Sequence, residues 1–214
     1  MKRYVTEFVG TFFLVFTIGA SVTHSPDFAP LAFGCALVAL VYMGGHVSGA
    51  HYNPAVSIAF VLRGTFDGKD LLPYVVAQLL GAILASVAVL VVTGATFAPA
   101  PAPDAGPGAV LLAEALMTFA LMFVILNVAT HPTTEGNHYY GVAIGFTVLG
   151  GAYAVGNVSG AAFNPAVGTG PALVGSIVSD GSLADVWFYW VGPVVGAASS
   201  VPVFRMTLPA DDGT

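Results

Sequence analysis

A ten-residue segment occurs twice in this chain. Val47-Ser-Gly-Ala-His-Tyr-Asn-Pro-Ala-Val56 returns as Val158-Ser-Gly-Ala-Ala-Phe-Asn-Pro-Ala-Val167, with eight of the ten positions identical. Asn is a favoured helix N-cap, and Pro is tolerated at the first helical position because the amide there has no intrahelical partner. Each copy therefore predicts the start of a helix, and the pair indicates an internal duplication.

The composition of the chain is typical of a membrane protein. Hydrophobic residues make up 57% and charged residues 7%, whereas soluble proteins carry about 25% charged residues. The stretches 28–62, 71–103 and 136–179 contain no Asp, Glu, Lys or Arg. Because about 20 apolar residues span a bilayer, we expect an integral, multi-pass protein of the cell or cytoplasmic membrane. With five basic residues and a net charge of −6, the chain offers no patch for nucleic acid and no polybasic tail for anionic lipid.

Apolar length and helix breakers predict an all-α membrane protein with six transmembrane helices. The predicted spans are 4–22, 30–48, 71–92, 109–129, 139–156 and 185–204. The first is interpreted as a span and not as a secretory signal, because it is long enough and its Glu7 has a counterpart in Glu114. Two shorter apolar segments, 54–62 and 165–174, hold about ten residues each and reach about 15 Å, half the hydrocarbon thickness. They predict two re-entrant half-helices.

The two halves of the chain align beyond the repeated segment. Glu7-Phe-Val-Gly-Thr-Phe matches Glu114-Ala-Leu-Met-Thr-Phe, and Tyr74-Val-Val-Ala-Gln-Leu-Leu-Gly-Ala matches Tyr189-Trp-Val-Gly-Pro-Val-Val-Gly-Ala. Since each half has three spans, the second half must insert upside down, which makes an inverted 3+3 repeat. We predict a single domain over 1–214, with the following parts: repeat 1 at about 1–94, a linker at about 95–108, repeat 2 at about 109–206, and a tail at 207–214.

The basic residues predict the orientation of the chain. On the predicted topology all five lie on one side: Lys2, Arg3, Arg63, Lys69 and Arg205. The opposite side carries acids: Asp27, Asp104, Asp180 and Asp185. Because Lys and Arg are retained in cytoplasmic loops, we expect both termini in the cytoplasm.

Two half-helices that start at the membrane midplane predict a polar passage, because irregular backbone in the hydrocarbon region must line a cavity or be buried in protein. Each helix start presents about half a positive charge, so cations are repelled there. The side-chain amides of Asn53 and Asn164 can donate to a passing water or hydroxyl, and the preceding Ser-Gly-Ala segments can offer carbonyl acceptors. The pattern favours conduction of neutral solutes without catalysis.

The pattern is less typical of two other classes of protein. Ion-coupled secondary transporters are also built from inverted repeats and broken helices, and such a carrier would need a titratable group in the pathway, where we find none. A membrane enzyme would need a nucleophile with a base, or a metal cluster. His46 and His51 are five residues apart and so off one helical face, and no Cys or carboxylate is close in sequence, which argues against a metal site.

From end to end the chain resembles the aquaporin, or major intrinsic protein, family. The resemblance rests on Asn53-Pro54-Ala55 and Asn164-Pro165-Ala166, Ser48-Gly-Ala-His51, the Glu-x-x-x-Thr pattern opening each half, Leu31-Ala-Phe-Gly34 and Gly170-Pro-Ala172. It implies a homotetramer with one pore per subunit, passive transport of water and small neutral solutes, and no cofactor. It also implies that Glu7 and Glu114 accept hydrogen bonds from the re-entrant backbone; a proton relay through these groups is the alternative.

The chain departs from this family at the constriction. Most members carry Arg directly after the second Asn-Pro-Ala, where this chain has Val167. Counting from the motifs gives a selectivity filter of Phe33, Ala152, Ala161 and Val167. Such a ring is wider and more apolar, which admits glycerol, urea, ammonia or neutral metalloid hydroxides, although dewetting can slow a lone file of water. The alternative is a channel that still passes mainly water.

Overall fold

A computed structural model of the chain describes residues 1–208, and the regular structure of that range is helical throughout. Its eight α-helices are α1 (Lys2–His24), α2 (Ala29–Ser48), α3 (Pro54–Arg63), α4 (Gly68–Thr93), α5 (Pro107–Ala129), α6 (Tyr140–Ser159), α7 (Pro165–Val178) and α8 (Phe188–Arg205). Short 3-10 turns lie at Pro26–Phe28 and Pro132–Thr134. The predicted all-α fold, with six long helices and two half-helices, is confirmed. Residues 209–214 of the predicted tail lie outside the described residues.

Five of the long helices, α1, α2, α4, α5 and α6, are long and apolar enough to cross a membrane. The sixth, α8, has 18 residues and contains Pro193 and Pro202. The start of α4 was predicted three residues late, because its first turn is charged; Asp67 caps it by accepting from Lys69 N at 3.0 Å. The end of α7 was predicted about four residues early, at about Val174, whereas the helix continues to Val178.

The two halves pack alike, with α1 against α4 in the first and α5 against α8 in the second. Gly81 on α4 lies against the Phe8 carbonyl, and Gly196 on α8 lies against the Ala115 carbonyl. A Cβ at either glycine would collide with backbone of the facing helix. Small residues are what allow helix backbones to approach closely in a membrane, where lipid is as apolar as the side chains. Each repeat is therefore closed by an equivalent glycine contact.

All five basic residues lie at one end of the bundle, which we call the basic face. Arg3 Nη1 pairs with Asp70 Oδ2 at 3.2 Å, linking the starts of α1 and α4. Arg205 Nη2 donates to the Leu62 carbonyl at 2.8 Å, and the Arg63 guanidinium lies 5.2 Å from the centre of the Phe204 ring, which joins the ends of α3 and α8. We call the opposite end the acidic face.

The segment between the repeats, predicted as a linker over 95–108, contains no helix until α5 begins at Pro107. It lies against the second repeat at the acidic face. Ala102 N donates to the Val158 carbonyl at 3.0 Å, and the Thr96 and Ser179 hydroxyls are 3.2 Å apart. Phe97 packs into an apolar cluster with Val15 and other buried residues. The linker is thus held in contact with the end of α6 and with the residue that follows α7.

Candidate functional site

The two Asn-Pro-Ala motifs start the half-helices α3 and α7 with the same local geometry. Asn53 and Asn164 are extended N-caps, and the side-chain oxygen of each accepts from the backbone amide two residues on, Ala55 N or Ala166 N, at 2.9 Å. Pro occupies the first position of both helices, where the missing amide hydrogen has no intrahelical acceptor to lose. The helix starts that the sequence predicts are therefore present in matched form.

The two helix starts meet through their cap residues. Asn53 Nδ2 donates to the Phe163 carbonyl and Asn164 Nδ2 to the Tyr52 carbonyl, both at 2.9 Å. These reciprocal bonds join the two repeats at the centre of the bundle. Because a carboxamide nitrogen carries two hydrogens, each Asn keeps one donor beyond this cross-link.

The backbone before each motif is wound through left-handed conformations. In the first repeat φ is +87° at Gly49, +49° at Ala50 and +48° at Tyr52; in the second it is +84°, +50° and +50° at Gly160, Ala161 and Phe163. Non-glycine residues in this region cost about 1–3 kcal/mol each and persist only where the surroundings hold them. Among the hydrogen bonds within residues 1–208, none uses the carbonyls of Gly49, Ala50 or His51. These carbonyls remain available as acceptors.

Glu7 holds the first wound segment. Its carboxylate is fully buried and accepts four hydrogen bonds, from Ser48 Oγ at 2.6 Å, His51 N at 3.0 Å, Tyr52 N at 2.7 Å and Gln78 Nε2 at 2.8 Å. A buried charge is tolerated when hydrogen bonds replace its hydration. The backbone amides of His51 and Tyr52 lie outside regular helix, and Glu7 is therefore their common acceptor.

Glu114 holds the second wound segment with one bond fewer. It is also fully buried, and it accepts from Ser159 Oγ at 2.7 Å, Ala162 N at 3.1 Å and Phe163 N at 2.6 Å. The structure therefore brings each Glu against the re-entrant loop of its own repeat.

Two tyrosines reinforce the same segments and were given no role from the sequence. Tyr74 OH donates to the Ser48 carbonyl at 2.8 Å, and Tyr189 OH donates to the Ser159 carbonyl at 2.7 Å. Both residues open the aligned segments of the two halves. That alignment was the available signal for a shared function.

The first repeat contains a polar chain that the second lacks. Gln78 Nε2 also donates to Ser57 Oγ at 3.0 Å, and His51 Nδ1 lies 3.0 Å from the same hydroxyl. The His51 ring stacks on Phe60 with centroids 4.6 Å apart. In the aligned second repeat, Ala162, Gly168 and Pro193 stand where the first has His51, Ser57 and Gln78. The two halves of the site are thus chemically unequal.

A cavity of about 970 Å³ extends from the basic face to the two Asn residues and beyond them. Polar and charged residues line its end at the basic face, namely Arg3, His46, Thr65, His131 and Glu135. Asn53 and Asn164 line its middle, and both are at least 95% buried. The cavity therefore joins a polar end at the basic face to the pair of cap residues.

Beyond the Asn pair the cavity wall is apolar. Phe33, Ala161 and Val167 line it, and Val148 on α6 does so as well. Ala152, one turn further along α6, is packed with Phe33 in a small apolar cluster. Of the four residues that the motif spacing selects, Phe33, Ala161 and Val167 line the cavity, and Ala152 packs in one cluster with Phe33 and Ala161 without lining it. Val148 is a wall residue that counting from the motifs did not find. None of these side chains can donate or accept a hydrogen bond.

Within residues 1–208, no group of three or more His, Cys, Asp or Glu side chains is arranged to hold a metal ion. The three histidines on the cavity wall are His46, His51 and His131. His51 is committed to Ser57 and its aromatic neighbours. The groups that line the cavity from the Asn pair to the basic face can therefore form hydrogen bonds, and they include amides, carbonyls and imidazoles.

Comparison with known proteins agrees with this geometry. The family model described as "Major intrinsic protein" matches residues 1–204. The chain is 39% identical to "Aquaporin NIP1-1" of Zea mays, with 96% of this chain and 74% of the relative covered. It is 37% identical to "Aquaporin AqpM" of Methanothermobacter thermautotrophicus, covering 95% and 96%, and 36% identical to "Glycerol uptake facilitator protein-like 6" of Lactiplantibacillus plantarum, covering 92% and 94%.

A solved structure, that of the aquaglyceroporin from Plasmodium falciparum, superposes with a TM-score of 0.84 at 25% identity. The alignment covers 96% of this chain and 99% of that one. The agreement extends over both repeats, and the family consists of channels and not of enzymes. The chain therefore belongs to the major intrinsic protein family and is a multi-pass membrane channel that passes water and small solutes passively.

Proposed function

We propose that this channel conducts small uncharged solutes as well as water, and that the Asn53–Asn164 pair and an apolar constriction set its selectivity. The observation that carries the proposal is that the side-chain nitrogen of each Asn uses one N–H in the cross-link and keeps the other. Both Asn residues line the cavity, together with the residues whose backbone carbonyls are free to accept. A permeant molecule must then both accept and donate. Cations meet two helix starts of about half a positive charge each, which opposes their passage.

The constriction of Phe33, Ala152, Ala161 and Val167 determines which neutral solutes pass. A solute that crosses it gives up hydrogen bonds to water and gains none from these side chains. Molecules with some apolar surface lose less there, which favours glycerol, urea, ammonia or undissociated metalloid hydroxides over a lone file of water. The names of two proteins similar to this chain, a glycerol uptake facilitator-like protein and an aquaglyceroporin, support this choice.

We further propose that residues 1–214 act as one channel domain, that four copies assemble with one pore each, and that the basic face is cytoplasmic. The orientation is supported by the position of all five Lys and Arg residues at the basic face.

Cysteine labelling tests the orientation. In a Cys35→Ser background, Thr65→Cys at the basic face should resist a membrane-impermeant thiol reagent in intact cells, whereas Ser182→Cys should react. Native mass spectrometry should give four subunits. The reverse labelling pattern, or a monomer at all concentrations, would contradict these points.

Permeability of proteoliposomes tests the transport proposal. Stopped-flow light scattering should give glycerol and urea permeabilities well above those of empty vesicles, together with osmotic water flow. Val167→Ile keeps the constriction apolar and is the matched control for any polar substitution there. The proposal fails if water flow and solute uptake both equal those of empty vesicles. Uptake of a solute against its gradient would instead identify an ion-coupled transporter.

A further inference from the structure

A shallow apolar groove of about 380 Å³ lies on the outer surface of the bundle between α1 and α4, next to the basic face. It is lined by Tyr4, Val5, Phe8, Pro73, Val76 and Leu80, among others. Val76 is 45% exposed and Leu80 54% exposed, although both are aliphatic. The helices are parallel here, because Arg3 at the start of α1 contacts Asp70 at the start of α4. The groove therefore runs inward from the membrane surface.

The first turns of the two helices that form this groove each contain a lysine, Lys2 on α1 and Lys69 on α4. Lys2 precedes Val5 by three residues and Lys69 precedes Pro73 by four, spacings that put each lysine on the groove face of its helix. Both side chains are exposed. The sequence shows no polybasic segment, because these lysines are 67 positions apart in the chain. The Arg3–Asp70 pair brings the starts of α1 and α4, where the lysines lie, next to each other.

The nearby acids do not neutralise these lysines. Asp70 is engaged by Arg3 at 3.2 Å and by Tyr4 OH at 2.6 Å. Asp67 caps α4 through Lys69 N at 3.0 Å. Within residues 1–208, Lys2 and Lys69 form no ion pair. The basic residues here are Lys2, Arg3 and Lys69, and the acidic ones are Asp67 and Asp70. The net charge at this end of the apolar groove is therefore positive.

The second repeat contains the same apolar surface without the lysines. By the alignment of the halves, Ala109 and Ala184 stand where Lys2 and Lys69 stand in the first repeat. Val191 corresponds to Val76 and is also 45% exposed, and Val195, which corresponds to Leu80, is 56% exposed. Helix packing thus does not require the cations, since the second repeat packs alike without them.

We propose that the α1–α4 groove binds an anionic phospholipid, with an acyl chain along the groove and the phosphate between the Lys2 and Lys69 ammonium groups. An apolar groove alone accepts any acyl chain, and the two cations supply selectivity for the headgroup. The proposal rests on the proposed function only for the orientation, which assigns the site to the cytoplasmic leaflet.

Native mass spectrometry of the purified channel, titrated with dioleoyl phosphatidylglycerol or dioleoyl phosphatidylcholine, tests the site. The unmodified channel should retain phosphatidylglycerol preferentially. Lys2→Gln with Lys69→Gln should weaken that binding by roughly 25-fold, about fivefold for each lysine. Lys2→Arg with Lys69→Arg keeps the charges and should preserve binding.

Filling the groove tests the acyl chain separately. Val76→Trp should reduce binding of both lipids, whereas Val191→Trp on the second-repeat surface, which lacks the lysines, is the matched control and should leave phosphatidylglycerol binding unchanged. Equal retention of the two lipids by the unmodified channel overturns the proposal, as does unchanged binding by the Gln pair. A change in subunit number with Val76→Trp would show that a second copy covers this surface, which also overturns it. Because binding is measured without transport, these outcomes do not depend on which solutes the channel passes.

Discussion

The substitution Glu114→Gln separates a hydrogen-bonding role of the buried carboxylate from a proton-relay role. Glu114 Oε1 accepts from Ser159 Oγ and Ala162 N, and Oε2 accepts from Phe163 N alone. If the new NH2 takes the Oε1 position, the Ser159 hydroxyl can turn to accept from it. The 2.6 Å bond from Phe163 N is kept, and one amide, Ala162 N at 3.1 Å, loses its acceptor.

The magnitudes follow from the number of bonds lost. One lost hydrogen bond to a charged group should lower the free energy of unfolding by about 1.5–3 kcal/mol. At about 2–4 °C for each kcal/mol, the midpoint of thermal unfolding in detergent should fall by about 3–12 °C. Glu114→Ala removes all three bonds and releases the wound segment, a loss of about 4.5–9 kcal/mol. That loss is comparable with a total stability of about 5–15 kcal/mol, so little folded channel should be recovered.

Thermal unfolding and proteoliposome permeability should be measured on the same preparations. We expect Glu114→Gln to fold with a lowered midpoint and to keep most of the water and glycerol permeability. Glu7→Gln is the matched substitution in the first repeat and should behave alike, since His51 N at 3.0 Å is the amide that loses its acceptor. A Gln variant that is as stable as the unmodified channel but does not conduct would refute the positioning role. A fully stable Glu114→Ala variant would refute the bond count.

Three further outcomes are expected. Val167→Arg should reduce glycerol and urea permeability more than water permeability in stopped-flow assays, because it adds bulk and a charge to the apolar wall; equal ratios before and after would place the constriction elsewhere. Gly196→Ala should lower the thermal midpoint, because a Cβ at this position meets the Ala115 backbone and overpacking costs about 1–3 kcal/mol. Gly150 faces open space, so Gly150→Ala should leave the midpoint unchanged. Tyr189→Phe should cost about 1 kcal/mol of stability through the lost bond to the re-entrant carbonyl, and an unchanged midpoint would argue against that bond.

Signals between near neighbours predicted most of the architecture. Helix length and apolar composition depend on consecutive residues, so the six long helices were predicted with errors of a few residues at their ends. The starts of α3 and α7 were predicted to the residue, because Asn capping and Pro at the first position act over two or three residues. The predicted start of α4 was three residues late, because the prediction depended on apolar length and the first turn of this helix is charged. Only the Asp67 cap marks the true start.

Other features depend on where helices lie relative to one another, and no local pattern encodes that. Asn53 bonds the carbonyl of Phe163, 110 positions away, and residues of α1 and α4, such as Val5 and Val76, line one groove. The place of Val148 on the cavity wall is of the same kind, because it depends on the rotation of α6 about its axis. Local capping energies are set by the backbone around each motif and can be read from the chain. The partners across the pore follow from the packing of whole helices, which sums many weak contacts and appears only in the folded protein.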